Sequence, residues 1–395
     1  MSKRLKASVN PAVLIWARES AGYDPAAAAE KVGVDLEKLQ AWEAGDDQPS
    51  IAQLRNLAEL YKRPLAVMYL PEPPRAFLAM HDFRRLPEAG GGRFSPGLTH
   101  EIRLATQRRE LALELLSDSG EASADFTLTT TIKADPDEVG RKVRAALQVT
   151  YAIQAKWRDP RVGFLAWRTR IEQLGVLIFQ ASRVEPEEAS GFALWEPQLP
   201  VIAVNRKDPY SRRSFSLLHE LAHLMLHQTG VSDLEAEGAR APVDAAVEVF
   251  CNQVAAAALI PKADLLQDMI VTNRGAGRHA WTDEEIDGLA KVYSVSREAI
   301  VRRLVVVGRA TEAFYGAKRA QYAAEFQEQK RRQRDAKTPI PRNMPRETIA
   351  DVGRPLVRMV LEQYHQERLT LSDVSGYLGV KARHVSEIEQ QVGIG

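Results

Sequence analysis

Cysteine is almost missing from this chain: Cys251 is the single one in 395 residues. That excludes an internal disulfide framework and suits a reducing compartment. Long apolar runs are missing too. No stretch approaches the roughly 18 consecutive apolar residues that a membrane-spanning helix needs, and no charged-then-apolar leader precedes a small-residue cleavage site. A soluble, cytoplasmic protein without membrane association is therefore expected. The third absence is an excess of charge. With 53 Lys and Arg against 52 Asp and Glu, the formal net charge is +1, so no overall basic field points to nucleic acid, and any such surface has to be local. What is present is 45% hydrophobic residues, enough over this length for two to four domains with separate cores.

Residues 9–71 show helical periodicity broken by short turns: PAVLIWARESAG, DPAAAAEKVGV, DLEKLQAWEAG and SIAQLRNLAELYKRPLAVMYL. Gly22, Gly33 and Gly45 each follow an apolar-periodic run, where a left-handed helix end favours glycine. Asp24, Asp35 and Ser50 stand at N-cap positions. A bundle of about five short helices is expected. A Pro- and Gly-rich segment follows, PEPPRAFLAMHDFRRLPEAGGGRFSPG, and then an amphipathic helix from Leu98 to about Leu116. Helical patterning resumes from Pro136 to Leu174. The middle changes character: GVLIFQAS (175–182), SGFALWE (190–196) and LPVIAVN (199–205) are short runs rich in β-branched and aromatic residues, which predict a small three-stranded sheet. Helix signals then dominate to the end, interrupted by the charged stretch EFQEQKRRQRDAKTPIPRNMP (325–345).

The fold class is thus α+β and mostly helical. The expected domains are a helical bundle over 1–75, a linker with an amphipathic helix over 76–135, a central α+β domain over 136–320, a charged linker over 321–345 and a small helical unit over 346–395. The fragments EKVGVDLEKLQAW, AKVYSVSREAIVRRL and GYLGVKARHVSEI share one pattern: an apolar residue, a small-residue turn with Val, a cap-like residue, then apolar positions four and seven residues on. That pattern fits a helix-turn-helix, and equally any tight helical hairpin.

The chemistry concentrates in LLHELAHLMLH, residues 217–227. His219 and His223 are four apart, so on a helix their imidazoles share one face. With Glu220 they form the HExxH arrangement, in which two neutral imidazoles bind zinc and the glutamate takes a proton from water. Leu218, Leu221, Ala222, Leu224, Met225 and Leu226 make this helix apolar nearly all round, and three ionisable groups on a buried helix are costly unless something such as a metal compensates them. A catalytic zinc needs a third protein ligand and an open position. Glu248 and Asn252, four apart in VEVFCNQVAAAALIP (247–261), can both face the HExxH helix, the carboxylate as ligand and the amide as a hydrogen-bond partner for a ligating imidazole. His227 is the rival third ligand. On a continuing straight helix it would stand about 12 Å from His219, which suits a capping or supporting position better. Cys251 is on a different helical face and reads as small-residue packing. Tyr210, Arg240 and His279 are the candidates for stabilising an oxyanion, and SGFALWE is a candidate for holding an extended substrate by edge pairing. Manganese or iron is not excluded in place of zinc.

The run RSFSLLHELAHLMLH, followed by the E-x-x-C-N-x-x-A-x-x-L-I-P spacing from Glu248 to Pro261 and preceded by the three strand-like runs, resembles the ImmA/IrrE family of metallopeptidases over roughly residues 140–310. The resemblance implies a gluzincin-like zinc endopeptidase, with His219, His223 and Glu248 as ligands and Glu220 as general base. Members of that family cut helix-turn-helix repressors and so release stress or mobile-element genes, which makes such a repressor, or a toxin-antitoxin partner, the implied protein substrate. Residues 9–71 resemble the phage-repressor (XRE) type of helix-turn-helix domain, whose third helix enters the major groove of double-stranded DNA. The base-reading positions are then Leu36, Glu37, Lys38 and Ala41, on a face that is acidic to neutral and so a poor match for phosphate. More positive charge lies in the second and third fragments, as Arg297, Arg302 and Arg303, and as Lys381, Arg383 and His384.

The combined expectation is a transcriptional regulator in which a helix-turn-helix domain is fused to a zinc-dependent peptidase, a homodimer being one possible assembly. The rival is a DNA-binding regulator or antitoxin-like protein whose metallopeptidase fold binds a partner without cutting it.

Overall fold

A computed structural model describes residues 6–74, 94–232, 242–273, 280–335 and 343–393. The chain divides into two compact units, Met1–Thr106 and Gln107–Gly395, with nineteen α-helices and one four-stranded sheet among the described residues.

The first unit is helical. Its helices α1 (Pro11–Ser20), α2 (Pro25–Val32), α3 (Leu36–Ala44) and α4 (Ile51–Leu60) are followed by a 3-10 turn over Leu65–Tyr69. Prolines open α1 and α2, where a missing N–H costs nothing, and the Asn10 and Asp24 side chains accept from Ala12 and Ala27 N–H groups. Ser50 and Gln53 close a reciprocal capping box on α4. Asp35 stands at the α3 N-cap without a side-chain bond of this kind. Trp16, Leu39, Trp42, Leu54, Leu57, Tyr61 and Met68 fill the core, and Arg18 of α1 grips Glu43 of α3 through two bonds of 2.7 and 3.1 Å. Helix α5 (Pro96–Asp118) begins in this unit, where Arg103 donates to the Ser20 carbonyl.

The second unit is built around the sheet. After α6 (Pro136–Ala146), α7 (Tyr151–Gln154) and α8 (Pro160–Glu172) come β1 (Leu177–Ala181), β2 (Gly191–Leu194) and β3 (Val201–Asn205), then α9 (Tyr210–Met225) and β4 (Gly230–Ser232). The strand order is β1-β3-β2-β4, with β1 parallel to β3 and the other pairs antiparallel. All four strands are buried along their length. The sheet therefore has one more strand than the sequence predicted. The fourth is three residues long, too short to show a periodicity, and Gly230 reads equally well as a helix end.

Helix α10 (Pro242–Leu259) leads into α11 (Lys262–Gln267), α12 (Met269–Thr272), α13 (Asp283–Tyr293), α14 (Arg297–Val306) and α15 (Glu312–Asp335). Residues 321–335, at the start of the segment read as a charged linker, continue α15 as helix. The chain closes with α16 (Met344–Val352), α17 (Arg354–His365), α18 (Leu371–Leu378) and α19 (Val385–Val392). Far from hanging beyond a linker, α16 seats on the outer strand of the sheet: Arg168 and Gln180 both donate to the Ala350 carbonyl, and Arg206 pairs with Glu347 and Asp351. At Gly353, φ is +86°, and an added Cβ would come within 2.9 Å of the Ile178 carbonyl oxygen. Only glycine fits there on both counts.

Candidate metal centre

Helix α9 packs against β2 and β3, with α8 and α10 on its other sides. From Ser216 to Met225 every residue is buried, His219 and Glu220 completely. Helix α10 is brought close by α6. Gly140 has no Cβ, and one added there would meet the Ala257 side chain at 2.7 Å, so the two helices touch backbone to backbone. The far end of α10 is then tied down. Arg144 donates to the Ala258 carbonyl (2.8 Å), Gln154 to that of Leu259 (2.9 Å) and Arg303 to that of Ile260 (2.8 Å). Three orphan acceptors of a helix C-terminus are thereby satisfied inside the protein. Burial lowers the Arg144 pKa to about 10, which leaves it charged at neutral pH.

Fixed in this way, α10 presents Glu248 to the two histidines. His219 Nε2 and His223 Nε2 are 3.1 Å apart, and the Glu248 carboxylate oxygens lie 3.3 Å from the first and 3.4 Å from the second. Ser232 Oγ, at the end of β4, stands 3.1 Å from His219 Nε2 and 3.5 Å from His223 Nε2. His219, His223 and Glu248 are the one group of three metal-binding side chains that converges in this way among the described residues.

Proton counting tests whether these residues suit an ion. The distances above are five close contacts among two ring nitrogens, one hydroxyl and one carboxylate. Each Nε2 carries at most one proton and the hydroxyl one. The carboxylate contributes none: burial alone would raise its pKa, but the two imidazoles beside it more than offset that and hold it well below the usual carboxylate range. Three protons cannot make five hydrogen bonds, whereas one cation at the centre satisfies every lone pair. The separations, with one Glu248 oxygen turned to each imidazole, are also of the size expected between neighbouring ligands of an ion with bonds of about 2.0–2.1 Å, roughly 3.3 Å. The donor set fits a divalent metal.

Burial lowers the pKa of His219, with His223 acting in the same sense and Glu248 and Asn252 opposing it. The ring is thereby biased to the neutral form that a metal needs. His219 Nδ1, His223 Nδ1 and Asn252 Oδ1 are buried without a hydrogen bond among the described residues. Glu220 lies against Gly191 of β2, where an added Cβ would approach Glu220 Oε1 to 2.9 Å and the Ala203 carbonyl to 2.8 Å. This glycine, which the sequence reading overlooked, makes room for the carboxylate. Its signal was available as a glycine inside a strand pattern, a mark of close approach.

Other candidates fall elsewhere. His227 has a φ of +58°, so α9 ends before it, and its ring stacks on Trp195 at 4.1 Å. It takes no part in the cluster. Cys251 is buried, and burial, followed by the charges of Glu248 and Glu220, pushes its thiol up. Tyr210 packs on Phe164, with the Arg213 guanidinium over its ring. Arg240 and His279 lie outside the described residues. The segment SGFALWE cannot offer an edge, because β2 is bonded on both sides, to β3 and β4. On that side of the sheet the last strand among the described residues is β4.

The basic residues of the second helix-turn-helix-like fragment are also accounted for. Arg303 is buried between Ile260 and Asp137, Arg302 pairs with Glu312, and Arg297 pairs with Glu325 and lies over Tyr322. In this fragment each of the three arginines has an acid beside it. In the third fragment Lys381 and Arg383 are exposed, the latter donating to the neighbouring His384 ring. In the first unit Leu36, Glu37 and Lys38 are exposed on α3, while Ala41 is half-buried.

Two buried histidines and a half-buried glutamate on two helices beside a small mixed sheet, with a second carboxylate next to one histidine, are the arrangement of a metallopeptidase centre. Comparison with known families goes further. Residues 171–305 match the IrrE N-terminal-like domain of peptidase family M78, and residues 12–68 match a helix-turn-helix domain. The chain therefore carries an ImmA/IrrE-type peptidase domain behind an N-terminal helix-turn-helix domain, the composition of a regulator. No curated protein matches it significantly. No helix among the described residues is long and apolar enough to cross a membrane.

Proposed function

We propose that the chain is a metal-dependent endopeptidase of the cytosol that cleaves a protein partner, a helix-turn-helix repressor, in a stress or mobile-element response. The observation that carries this reading is the cluster of His219, His223 and Glu248, whose contacts outnumber their protons, with Glu220 buried beside it. A divalent ion bound by His219, His223 and Glu248, zinc in this reading, would supply Lewis acidity and lower the pKa of water toward neutrality. Glu220, kept in place by the missing side chain at Gly191, takes the proton from the attacking water and passes it to the leaving amine. Burial of α9 from Ser216 to Met225 keeps bulk water from competing. The outer strand β4 holds the substrate extended by main-chain pairing, which makes recognition depend on backbone as much as on side chains.

Metal analysis of the purified protein, together with comparison of wild type and Glu220→Gln against repressors encoded near its gene, tests the reading. Stoichiometric metal in both forms, with cleavage only by wild type, supports it; loss of the base costs on the order of 10²–10⁴ in rate. Wild type that holds no metal, or binds a repressor and leaves it intact, overturns it in favour of a binding protein.

The N-terminal domain delivers the peptidase to its site of action. Its α3 positions Leu36, Glu37, Lys38 and Ala41 offer one cation and one anion, a weak attraction for phosphate. A mobility-shift assay on the chain's own promoter, with and without residues 1–75, decides between DNA and protein as its ligand. A shift that this deletion abolishes assigns DNA.

A further inference from the structure

Ser232 belongs to neither the HExxH pattern nor the glutamate helix, yet its hydroxyl lies 3.1 and 3.5 Å from the two imidazole nitrogens that converge on Glu248. Those are the separations between neighbouring ligands of one ion, about 3.3 Å for bonds near 2.0–2.1 Å. They are close to the 3.1 Å between the two imidazole nitrogens and the 3.3 and 3.4 Å at which the two Glu248 oxygens approach them, one each. The serine is also held to this place. It is 1% exposed, its carbonyl accepts from Ser190 N–H at 3.0 Å, and its register partner on β2 is Gly191, the residue whose bare Cα makes room for Glu220. One residue of β2 thus sets the positions of both the buried carboxylate and this hydroxyl.

Once a metal takes the lone pairs of both Nε2 atoms, neither nitrogen can accept from Ser232, and neither has a proton to give it. Among the described residues the hydroxyl oxygen is then left with no protein partner at these distances, and the ion is the favourable one. We infer that Ser232 Oγ is a fourth ligand of the resting metal site, occupying the position that a water or substrate oxygen takes during turnover. The inference rests on the metallopeptidase reading of His219, His223 and Glu248, and adds that the site rests closed by its own β4 residue. Substrate that pairs along β4 then meets the strand whose last residue holds the ligand to be displaced.

Cobalt(II) is the probe, added to the full-length apoprotein in wild-type, Ser232→Ala and Ser232→Cys forms. Absorption spectra and a competition titration with a chromophoric chelator are recorded for each. Ser232→Ala is expected to bind cobalt about tenfold more weakly, with an altered visible d–d spectrum as water replaces the alcohol. Ser232→Cys is expected to gain a sulfur-to-cobalt charge-transfer band in the near ultraviolet. Wild type should lack that band, because the Cys251 thiol is not among the side chains that converge on the site. Water-proton relaxation of the manganese(II)-loaded forms adds a second reading, rising in Ser232→Ala as a coordinated water is gained. If wild type takes up one metal but Ser232→Ala matches it in spectrum, affinity and relaxation and Ser232→Cys shows no new band, the serine inference falls and the three-ligand site stands. If wild type takes up no metal, both fall.

Discussion

The two ends of α10 solve opposite problems. Near its beginning Glu248 enters a cluster in which close contacts exceed the protons able to fill them. Near its end three backbone carbonyls each meet a side-chain donor, from Arg144, Gln154 and Arg303. Both regions are polar groups sunk in an apolar core, where an unsatisfied group costs about 1–3 kcal/mol. The second closes on itself and works as structure. The first does not, and that deficit is what distinguishes a site from a strut. The second also serves the first, since the anchored end fixes the register in which Glu248 reaches the histidines.

The comparison breaks most visibly on metal removal. If the first end needs an ion and the second does not, chelation should lower the stability of wild type, and a metal at about a thousandfold its dissociation constant should restore about 4 kcal/mol. His223→Ala should abolish that response, and Arg303→Met should retain it. Thermal unfolding with and without added zinc measures this, and equal midpoints in wild type would erase the distinction. Next in size is Gly191→Ala. Its Cβ would fall within 3.0 Å of both the Glu220 carboxylate and the Ala203 carbonyl, and neither can retreat freely inside the core. A loss of about 2–3 kcal/mol in denaturant unfolding is expected, with the stoichiometry of bound metal unchanged.

How much of this was legible beforehand follows from periodicity. The convergence of His219 and His223 needs only a helix, and the approach of Glu248 needs only that a second apolar helix pack on the first, so both can be read from spacing. The three longer strands announce themselves as β-branched runs between turns. Ser232 could not be found that way. It lies on a strand of three residues, shorter than the periodicity that would reveal it, and it reaches the site through pairing with β2, a contact that local sequence does not encode. The seat of α16 on β1 was hidden for the same reason: a charged stretch reads as a spacer, while the docking depends on Ala350, whose contribution is a backbone carbonyl. His227 stays out of the cluster for a reason other than the one its spacing suggests. The helix was extrapolated as straight, and a left-handed residue ended it.

The smallest effects sharpen the comparison, because they come from neighbouring residues of one type. Arg302 and Arg303 are both basic and both lie on α14, and sequence gives no reason to separate them. The Arg303 side chain is 4% exposed and holds the Ile260 carbonyl, whereas that of Arg302 is 53% exposed and pairs with a Glu312 that is 69% exposed. Replacing Arg303 by Met keeps most of the apolar stem but removes the side-chain donor from a buried acceptor, a loss of about 1–2 kcal/mol. Replacing Arg302 by Ala breaks an ion pair that water already screens, worth under about 0.5 kcal/mol. Urea unfolding of the two variants side by side should give midpoints clearly apart, with Arg302→Ala close to wild type. Equal losses would mean that the end of α10 draws no special stability from the Arg303 donor. The register of Glu248 would then rest on Arg144, Gln154 and the close approach of Gly140 and Ala257.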